Sequence, residues 1–575
     1  MGAEQKLLPY AAVSLIPATC VLALAPHADD EVFGCGGALA LHAAAGAAVK
    51  VIVLSDGAFG AAESGLQAAV REAESQAAAA VLGYPPPEFW RLPDRGLEYG
   101  EVLIGRLLDA ARAHAADLVY APSLYEVHPD HRALAMAAIE AVRRLGSGVG
   151  LAMYDVGGPL RPNLLLDISA VFERKREAMR CFVSQLAHQR YDEHIVALNR
   201  YRTYTLPPET VAAEAFELHD AEAIERGLLS IYASEAERQR QCGVTASAAR
   251  DMPLVSVIIR SMDRPTLQEA LDSVALQTYP NIEVVLVNAK GVGHADAGAW
   301  CGRFPLRMVG QDGPLRRSRA ANLGLDSARG EFLVFLDDDD WFLPGHVAGL
   351  VEALGRNPGK KIAYGCVTCV DEDRRAIGKN FCQAFDRVRL LAGNFIPVHA
   401  VLFARALVGD GCRFDETLDL YEDWDFWLQL SERGDFLFVN EASAVYRIGQ
   451  GAGFGVNFDL EQAKTATRRV LAKWRERWDE ATLYELTERV RQLDDVRMSE
   501  DRLKTELAEA CAANQALQAA TEGLQAENQD LRAATGGLRA ENQGLRAEMR
   551  KVFLSRSWRV TRPLRWLGAK LRGIQ

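Results

Sequence analysis

Two α/β domains in tandem, each organised on a parallel sheet, and then a C-terminal coiled coil form the fold class that the sequence predicts. Three observations predict it. Between residues 20 and 150 short apolar runs alternate with Ala-rich amphipathic stretches, the pattern of strands joined by crossover helices. The same alternation restarts at Leu254 and continues to a strand-like run ending at Leu336. From Leu503 onward leucine recurs every seven residues. A length of 575 residues and 49% hydrophobic content suit several domains with cores of their own.

In the first domain Val21–Ala25 reads as a buried strand, and Pro26-His27-Ala28-Asp29-Asp30-Glu31 follows it directly. An imidazole and two carboxylates at a strand end place metal-ligand chemistry at the carboxyl edge of a sheet, where open α/β folds bind ligands. A second cluster, His128-Pro129-Asp130-His131, follows another apolar run, Asp117–Pro122. Two histidines and one carboxylate leave a tetrahedral Zn²⁺ with a position open for water, the arrangement of a catalytic zinc. Adjacent side chains diverge at a strand end, so one of Asp29 and Asp30 can ligate while the other takes a proton. Likewise one of His128 and His131 can bind metal while the other faces a developing oxyanion. Further strands and helices are expected at Val49–Leu54, Leu66–Leu82, Ala133–Leu145 and Leu164–Ile168.

These motifs, with Ser55-Asp56-Gly57, the Arg71-to-Glu74 stretch leading to Leu82-Gly83, and Leu92-Pro93-Asp94, resemble the PIG-L/LmbE family of zinc-dependent N-deacetylases over about residues 20 to 215. The resemblance implies a Rossmann-like domain, zinc ligands at His27, Asp30 and His131, a general base at Asp29, and an oxyanion-stabilising, proton-donating His128. It also implies sugar contacts at Arg71 and Asp94. Ala28 stands where the family carries proline; a small residue still permits the tight turn.

Residues 216–252 are charged, Ala-rich and helix-prone, and are read as a helical linker. Strand Val255–Ile259, an amphipathic helix and strand Ile282–Asn288 then form a βαβ unit. Farther on, the apolar run Gly330–Leu336 ends in Asp337-Asp338-Asp339-Asp340-Trp341. Four carboxylates at a strand terminus repel one another unless a cation is present, and hard oxygen ligands beside a phosphate suit Mg²⁺ or Mn²⁺. With Gln277-Thr278-Tyr279-Pro280, Ala321-Asn322-Leu323-Gly324 and Glu422-Asp423-Trp424-Asp425, this region (about 253 to 450) resembles family 2 glycosyltransferases of the GT-A fold. That resemblance implies that Asp337 and Asp339 bind ribose and the divalent cation of a nucleotide-sugar donor, and that Asp423 deprotonates the acceptor for inverting attack. Two departures stand out. Arg260-Ser261-Met262-Asp263 replaces the usual Pro-Thr-Tyr-Asn, and Asn288 replaces the aspartate that contacts the base. Arg260 and Arg319 are read as diphosphate contacts, with a surface ion pair as the equal alternative for each, and Asn288 and Asn322 complete the donor site. Trp424 and Trp427 are read as core, with sugar stacking as the alternative.

Composition sets limits. Net charge is −12, yet residues 550–575 hold eight Lys/Arg and no acid, so the body is strongly acidic, which argues against nucleic acid as a partner. Ten cysteines lack a disulfide-like spacing, which fits a reducing compartment, and Cys366-x-x-Cys369 reads as a pair of core cysteines. Leu7–Ala25 is apolar, but Pro9 and Pro17 interrupt it and its end runs into the histidine motif, so neither a leader nor a span is read. Lys6 stands where myristoylation at Gly2 needs Ser or Thr.

The expected organisation is therefore a deacetylase domain (1–215), a linker (216–252), a glycosyltransferase domain (253–455), a helical extension (456–495), a coiled coil (496–549) and a basic amphipathic tail (550–575). In the coiled coil Leu503, Ala510, Leu517, Leu524, Leu531, Leu538 and Leu545 form one core position, and Leu507, Asn514, Thr521, Asn528, Thr535, Asn542 and Met549 the other, with a single solvated helix as the alternative. Four glycines weaken this helix, each by roughly 1 kcal/mol relative to Ala, and its expected span is about 70 Å. The tail suits an anionic membrane surface, with Pro563 breaking it into two pieces. The expectation is a cytoplasmic, self-associating enzyme at the inner membrane face. It would deacetylate an N-acetyl amino sugar with Zn²⁺ and transfer sugar from a nucleotide donor, with Mn²⁺ or Mg²⁺, onto a free or lipid-linked glycan of surface-polysaccharide (O-antigen) biosynthesis. Two alternatives keep less: an active transferase with a non-catalytic, sugar-binding deacetylase-like domain, or a membrane-associated scaffold.

Overall fold

The computed structural model describes residues 8–58, 64–242, 252–310, 313–418, 420–448 and 460–571. Gly2, Lys6 and Leu7, the end of the linker (243–251) and the 449–459 boundary lie outside them. Met1–Arg477 form one compact unit and Trp478–Gln575 a second.

The first sheet has eight strands: β1 (Ala12–Val13), β2 (Cys20–Ala25), β3 (Ala48–Ser55), β4 (Glu88–Leu92), β5 (Leu118–Pro122), β6 (Gly150–Tyr154), β7 (Leu164–Asp167) and β8 (Ala213–Asp220), in the order β1-β7-β8-β6-β5-β2-β3-β4. The stretch β6-β5-β2-β3-β4 is parallel. The chain runs outward from β2 to β3 and β4, then crosses to β5, so the strand order reverses between β2 and β5. Both histidine motifs emerge at that switch point. Helices on both faces bury β2 and β5, which is why both read as nearly continuous apolar runs. The sheet is mixed, contrary to the parallel one expected: β8 returns after the 172–201 helical excursion and pairs antiparallel with β6 and β7.

Helix Asp30–Ala44 begins where β2 ends, and its Phe-Gly-Cys-Gly-Gly stretch lets it lie close on the sheet. A Cβ on Gly34 would come within 2.2 Å of the Tyr154 ring, whose hydroxyl donates to the Leu24 carbonyl at 2.9 Å. The segment read as a linker contains helix Ala221–Cys242, which packs on helix Pro129–Leu145 through Ile224, Leu228 and Tyr232.

The second sheet holds β9 (Val255–Ser261), β10 (Ile282–Asn288), β11 (Trp300–Cys301), β12 (Phe304–Val309), β13 (Phe332–Asp337), β14 (Trp341–Phe342), β15 (Ile362–Val370), β16 (Ala376–Phe381), β17 (Val401–Ala404) and β18 (Leu437–Arg447). The run β12-β10-β9-β13 is parallel; β17 then pairs antiparallel with β13 and continues to β15, β18 and β14. This sheet is mixed too, because the chain after the acidic motif returns through β17 rather than through another crossover helix. Helix Leu460–Trp474 closes on the domain: Trp474 and Lys473 both donate to buried Asp425, at 2.7 and 2.9 Å. Cys366 and Cys382 form a disulfide across the β15–β16 hairpin, where the sequence reading foresaw none; Cys369 stays free and buried.

The two sheets share packing. Leu276, Trp341, Leu343, Val370 and Val445 belong to the same buried cluster as Leu97, Tyr99, Leu103 and Met136. The Tyr99 hydroxyl donates to the Leu276 carbonyl at 3.1 Å, and Thr278 donates to Glu101 at 2.8 Å.

In the second unit a single helix, Glu480–Leu554, runs 75 residues, about 110 Å at about 1.5 Å per residue. It is longer than expected and continues through all four glycines. Two short helices follow, Arg556–Val560 and Arg562–Leu571. The break falls at Thr561, and Pro563 occupies the first turn of the second helix, where its missing N–H is no loss. Among the described residues no helix is long and apolar enough to cross a membrane.

Candidate active sites

At the first switch point three atoms converge. His27 Nδ1 and Asp30 Oδ2 are 3.1 Å apart, His131 Nε2 and Asp30 Oδ2 3.1 Å, and the two nitrogens 3.3 Å. Ligands about 2.0–2.1 Å from a tetrahedral metal stand about 3.3 Å from one another, so this donor set fits zinc. His27 leaves the end of β2, Asp30 opens the following helix, and His131 sits in the first turn of Pro129–Leu145 with His128 as its N-cap. That helix starts a turn earlier than the sequence pattern placed it, which is what turns His131 inward.

Each of these two histidines presents its other nitrogen to a buried carboxylate. His27 Nε2 lies 3.3 Å from Asp130 and 3.4 Å from Asp94; His131 Nδ1 lies 3.5 Å from Glu126. Such partners set the tautomer and aim of a ligating imidazole. Asp130 is itself fixed by the backbone N–H groups of Arg95 and Leu97, and Glu126 by those of Val156 and Gly157. Sequence reasoning assigned no role to either. Asp130 was visible inside the second histidine motif, whereas Glu126 carries no signal beyond its proximity to that motif.

Asp29 has a backbone φ of 138°, a region L residues rarely adopt, and its carboxylate meets Arg71 while that of Asp30 meets His27 and His131. Arg71 holds it at 3.2 Å and also donates to the carbonyls of Ala28 and Gly57. Arg71, expected to grip sugar, is therefore a buried brace for Asp29; a Cβ on Gly57 would collide with it. Burial, and then Asp30, push the Asp29 carboxyl up to about 6 against the pull of Arg71. Burial would raise Asp30 too, but His131 and His27 beside it hold it well below the usual carboxylate range. Burial works against protonation of His131, yet Asp30 and Glu126 raise it to about 9. His128 is the more open histidine, its side chain 27% exposed; burial and then its two histidine neighbours lower it. Buried Glu31 accepts from Ser75 and from the Asp29 N–H, and burial pushes it up to about 7.

The second site lies where β9 and β13 end side by side. The four aspartates fan out. Asp337 takes a bidentate contact from Arg260, its register partner on β9, at 2.8 and 2.9 Å. Asp338 is buried on the Met262 N–H and Arg264, Asp339 meets Arg264 at 3.0 Å, and Asp340 faces His399 at 3.2 Å. The mutual repulsion expected of these carboxylates is thus partly relieved by guanidinium groups. Asp337, Asp339 and Asp340 can still offer oxygens within 4.8 Å of one another, and all-oxygen donors fit Mg²⁺ or Mn²⁺. Burial would raise Asp337, but Arg260 and Arg317 lower it; burial and Asp337 raise Asp339. Asp423 opens helix Glu422–Ser431 and accepts from Asn394 at 2.8 Å. Burial, and then Glu422 next to it, push Asp423 up to about 7.

The remaining expected contacts sit elsewhere. Arg319 pairs with Glu416 at the surface, Asn322 brackets the Phe414 backbone, and Asn288 closes its own turn onto Gly291. Arg260 holds Asp337 rather than standing free. Trp424 and Trp427 are core, their indole N–H groups donating to Leu390 and Ile396 carbonyls. Arg264 and His399 were not foreseen, and Asp340 was read only as part of the acidic run, without a ligand role of its own.

Comparison with known proteins finds a family match in each of the two α/β regions. The GlcNAc-PI de-N-acetylase family (PIG-L) matches residues 22–142, and glycosyl transferase family 2 matches residues 256–403. An uncharacterized protein of Sinorhizobium fredii is 27% identical over 257 residues, 41% of this chain but only 27% of its own length. An uncharacterized glycosyltransferase of Bacillus subtilis is 24% identical over 212 residues, covering 36% of this chain and 78% of that protein. The solved N,N'-diacetylchitobiose deacetylase of Pyrococcus horikoshii is 27% identical, covers 36% of this chain and 85% of its own, and superposes with a TM-score of 0.33. The chain carries a PIG-L de-N-acetylase domain followed by a family 2 glycosyltransferase domain.

Proposed function

We propose that the first domain is a zinc-dependent N-deacetylase of an N-acetyl amino sugar. In this reading the second is an inverting transferase that moves sugar from a nucleotide donor, and the two serve bacterial surface-polysaccharide synthesis. The observation that carries the first half is the His27–Asp30–His131 triangle with Asp29 and His128 beside it. Zinc, when bound there, supplies a Lewis acid that lowers the pKa of water to about 7. Asp29, braced by Arg71, takes a proton from the attacking water. Addition to the amide carbon yields a tetrahedral oxyanion, to which His128 donates its N–H. The C–N bond then breaks as Asp29 passes the proton it took to the departing amine, and acetate leaves.

In the second site Asp423 accepts the acceptor hydroxyl's proton while that oxygen attacks the anomeric carbon from the face opposite the leaving diphosphate. Asp337, Asp339 and Asp340 would hold a divalent ion, which would neutralise charge on the departing diphosphate. The long helix is read as a self-association element. The tail, with Leu564, Trp566 and Leu567 exposed among basic residues, is read as a contact for the inner membrane face.

The test is D29N in the full chain. Amine release from N-acetylglucosamine-containing acceptors should fall by about 10²–10⁴-fold with zinc content unchanged. Undiminished release would remove Asp29 as the base.

A further inference from the structure

Along the helix Glu480–Leu554 two positions of the seven-residue repeat share one face. Leucine stands at 517, 524, 531, 538 and 545, and four residues after each come Thr521, Asn528, Thr535, Asn542 and Met549. These leucines are 61–67% exposed, so nothing among the described residues covers them. The residues flanking the face are charged in a set order: Glu527, Glu541 and Glu548 precede the second position, while Arg532, Arg539 and Arg546 follow the leucines. We propose that this face is the seam of a parallel, in-register two-stranded coiled coil with a second copy of the chain. The proposal rests on the reading of the helix as a self-association element, and adds its direction, register and strand number.

Charge sets the direction. In a parallel pair the residue preceding a second-position residue faces the residue five farther along the other copy, so Glu527 meets Arg532 of the partner subunit and Glu541 meets Arg546 of the partner subunit. In an antiparallel pair the same positions face their own kind, Glu against Glu and Arg against Arg, which repels. Amides set the register. Asn514, Asn528 and Asn542 are spaced by 14 residues with Thr521 and Thr535 between them. Only the in-register pair matches every buried amide to an amide while keeping the whole seam. A one-heptad slip sets amides against threonines, and a two-heptad slip removes two layers of leucine. Leucine in one core position with asparagine in the other favours two strands. The arrangement also brings both basic tails to the same end of the coil, where their charges act on one surface together.

The test uses the full chain in a C511S background with two single variants, L517C and L545C. Facing leucine positions of a parallel pair fall within the Cα separation a disulfide spans, about 5.5–6 Å. On mild oxidation each variant alone should form a covalent dimer, and a mixture of the two after subunit exchange should yield no 517–545 product. A 517–545 product would overturn the direction while leaving self-association intact, and failure of both homodimeric links would overturn the register. A monomer mass for the unsubstituted chain by light scattering would overturn self-association itself. E527R/E541R should weaken the dimer roughly tenfold or more, and adding R532E/R546E should restore it. Absence of that restoration would also overturn the pairing.

Discussion

Replacing Asp130 by Asn asks whether the first site is built to hold a metal or is only a cluster of buried acids and imidazoles. Asp130 is fully buried, accepts the Arg95 N–H at 2.7 Å and the Leu97 N–H at 3.2 Å, and lies 3.3 Å from His27 Nε2. Asparagine keeps the volume but has one acceptor oxygen, so one of the two backbone donors loses its partner. That costs about 1–3 kcal/mol of stability. It also removes the negative charge that makes His27 a stronger ligand, and loss of such a partner weakens metal binding by about 10–100-fold, or about 1.4–2.7 kcal/mol. Zinc affinity should be measured on the full chain by competition with a chromophoric chelator, alongside a melting curve of the metal-free protein. E126Q should act in the same way through His131. If D130N melts earlier but binds zinc as tightly as the parent, Asp130 only braces the 95–97 loop, and the ligand assignment of His27 loses its support.

Glycosyl transfer should rise with pH through about 7, because Asp423 must be deprotonated to act as a base and burial with Glu422 places its titration there. A flat profile between pH 6 and 8 in steady-state assays would remove it from that role, and D423N should cost about 10²–10⁴-fold. R260M removes the guanidinium that competes for Asp337, so Mn²⁺ should bind roughly tenfold tighter or more; weaker binding by calorimetry would mean that Arg260 instead presets the carboxylate for the ion. Truncation after Arg477 should leave both turnovers at the parent level, since the helix Leu460–Trp474 that anchors on Asp425 is retained. Loss of either activity in that truncated chain would make the long helix part of the catalytic body.

What the sequence made legible were side chains whose chemistry and chain position coincide. His27, Asp30 and His131 each follow an apolar run within a few residues, so strand, edge and ligand can be read together. The residues that escaped act through geometry. Arg71 reaches Asp29 across 42 positions, and only the packing of helix Ser64–Leu82 brings them together. Arg260 was visible as a departure from the family pattern, yet its role follows from β9 lying beside β13 with Arg260 in register with Asp337, a pairing no local pattern announces. Asn322 and Asn288 sit in the right motifs, but their amides are taken up by backbone groups, because a buried amide without such partners is costly. The parallel sheets came out mixed for a related reason. The strands that run the other way carry little apolar signal: β8 interleaves Ala and Phe with Glu214, Glu217 and His219 and runs into the segment read as a linker, and β17 is only four residues long.

The packing between the two sheets bears on how the chemistries can be separated. Asp94 faces His27, while Leu97 and Tyr99, a few residues on, lie in the cluster that includes Leu276 and Leu343. In the same way Asp340 borders the acidic site and Trp341, the next residue, joins that cluster. Each site is therefore supported from behind by side chains that the other domain covers. Cutting the chain between the domains would expose Tyr99, Leu276, Trp341 and Leu343 together, and the loops that position Asp94, Asp130 and Asp340 would lose the surface they rest on. A fusion of two independent enzymes would tolerate that cut. This chain should not: expressed separately, the two halves should bind metal and substrate less well than the joined unit, and adding them back together should recover part of the loss.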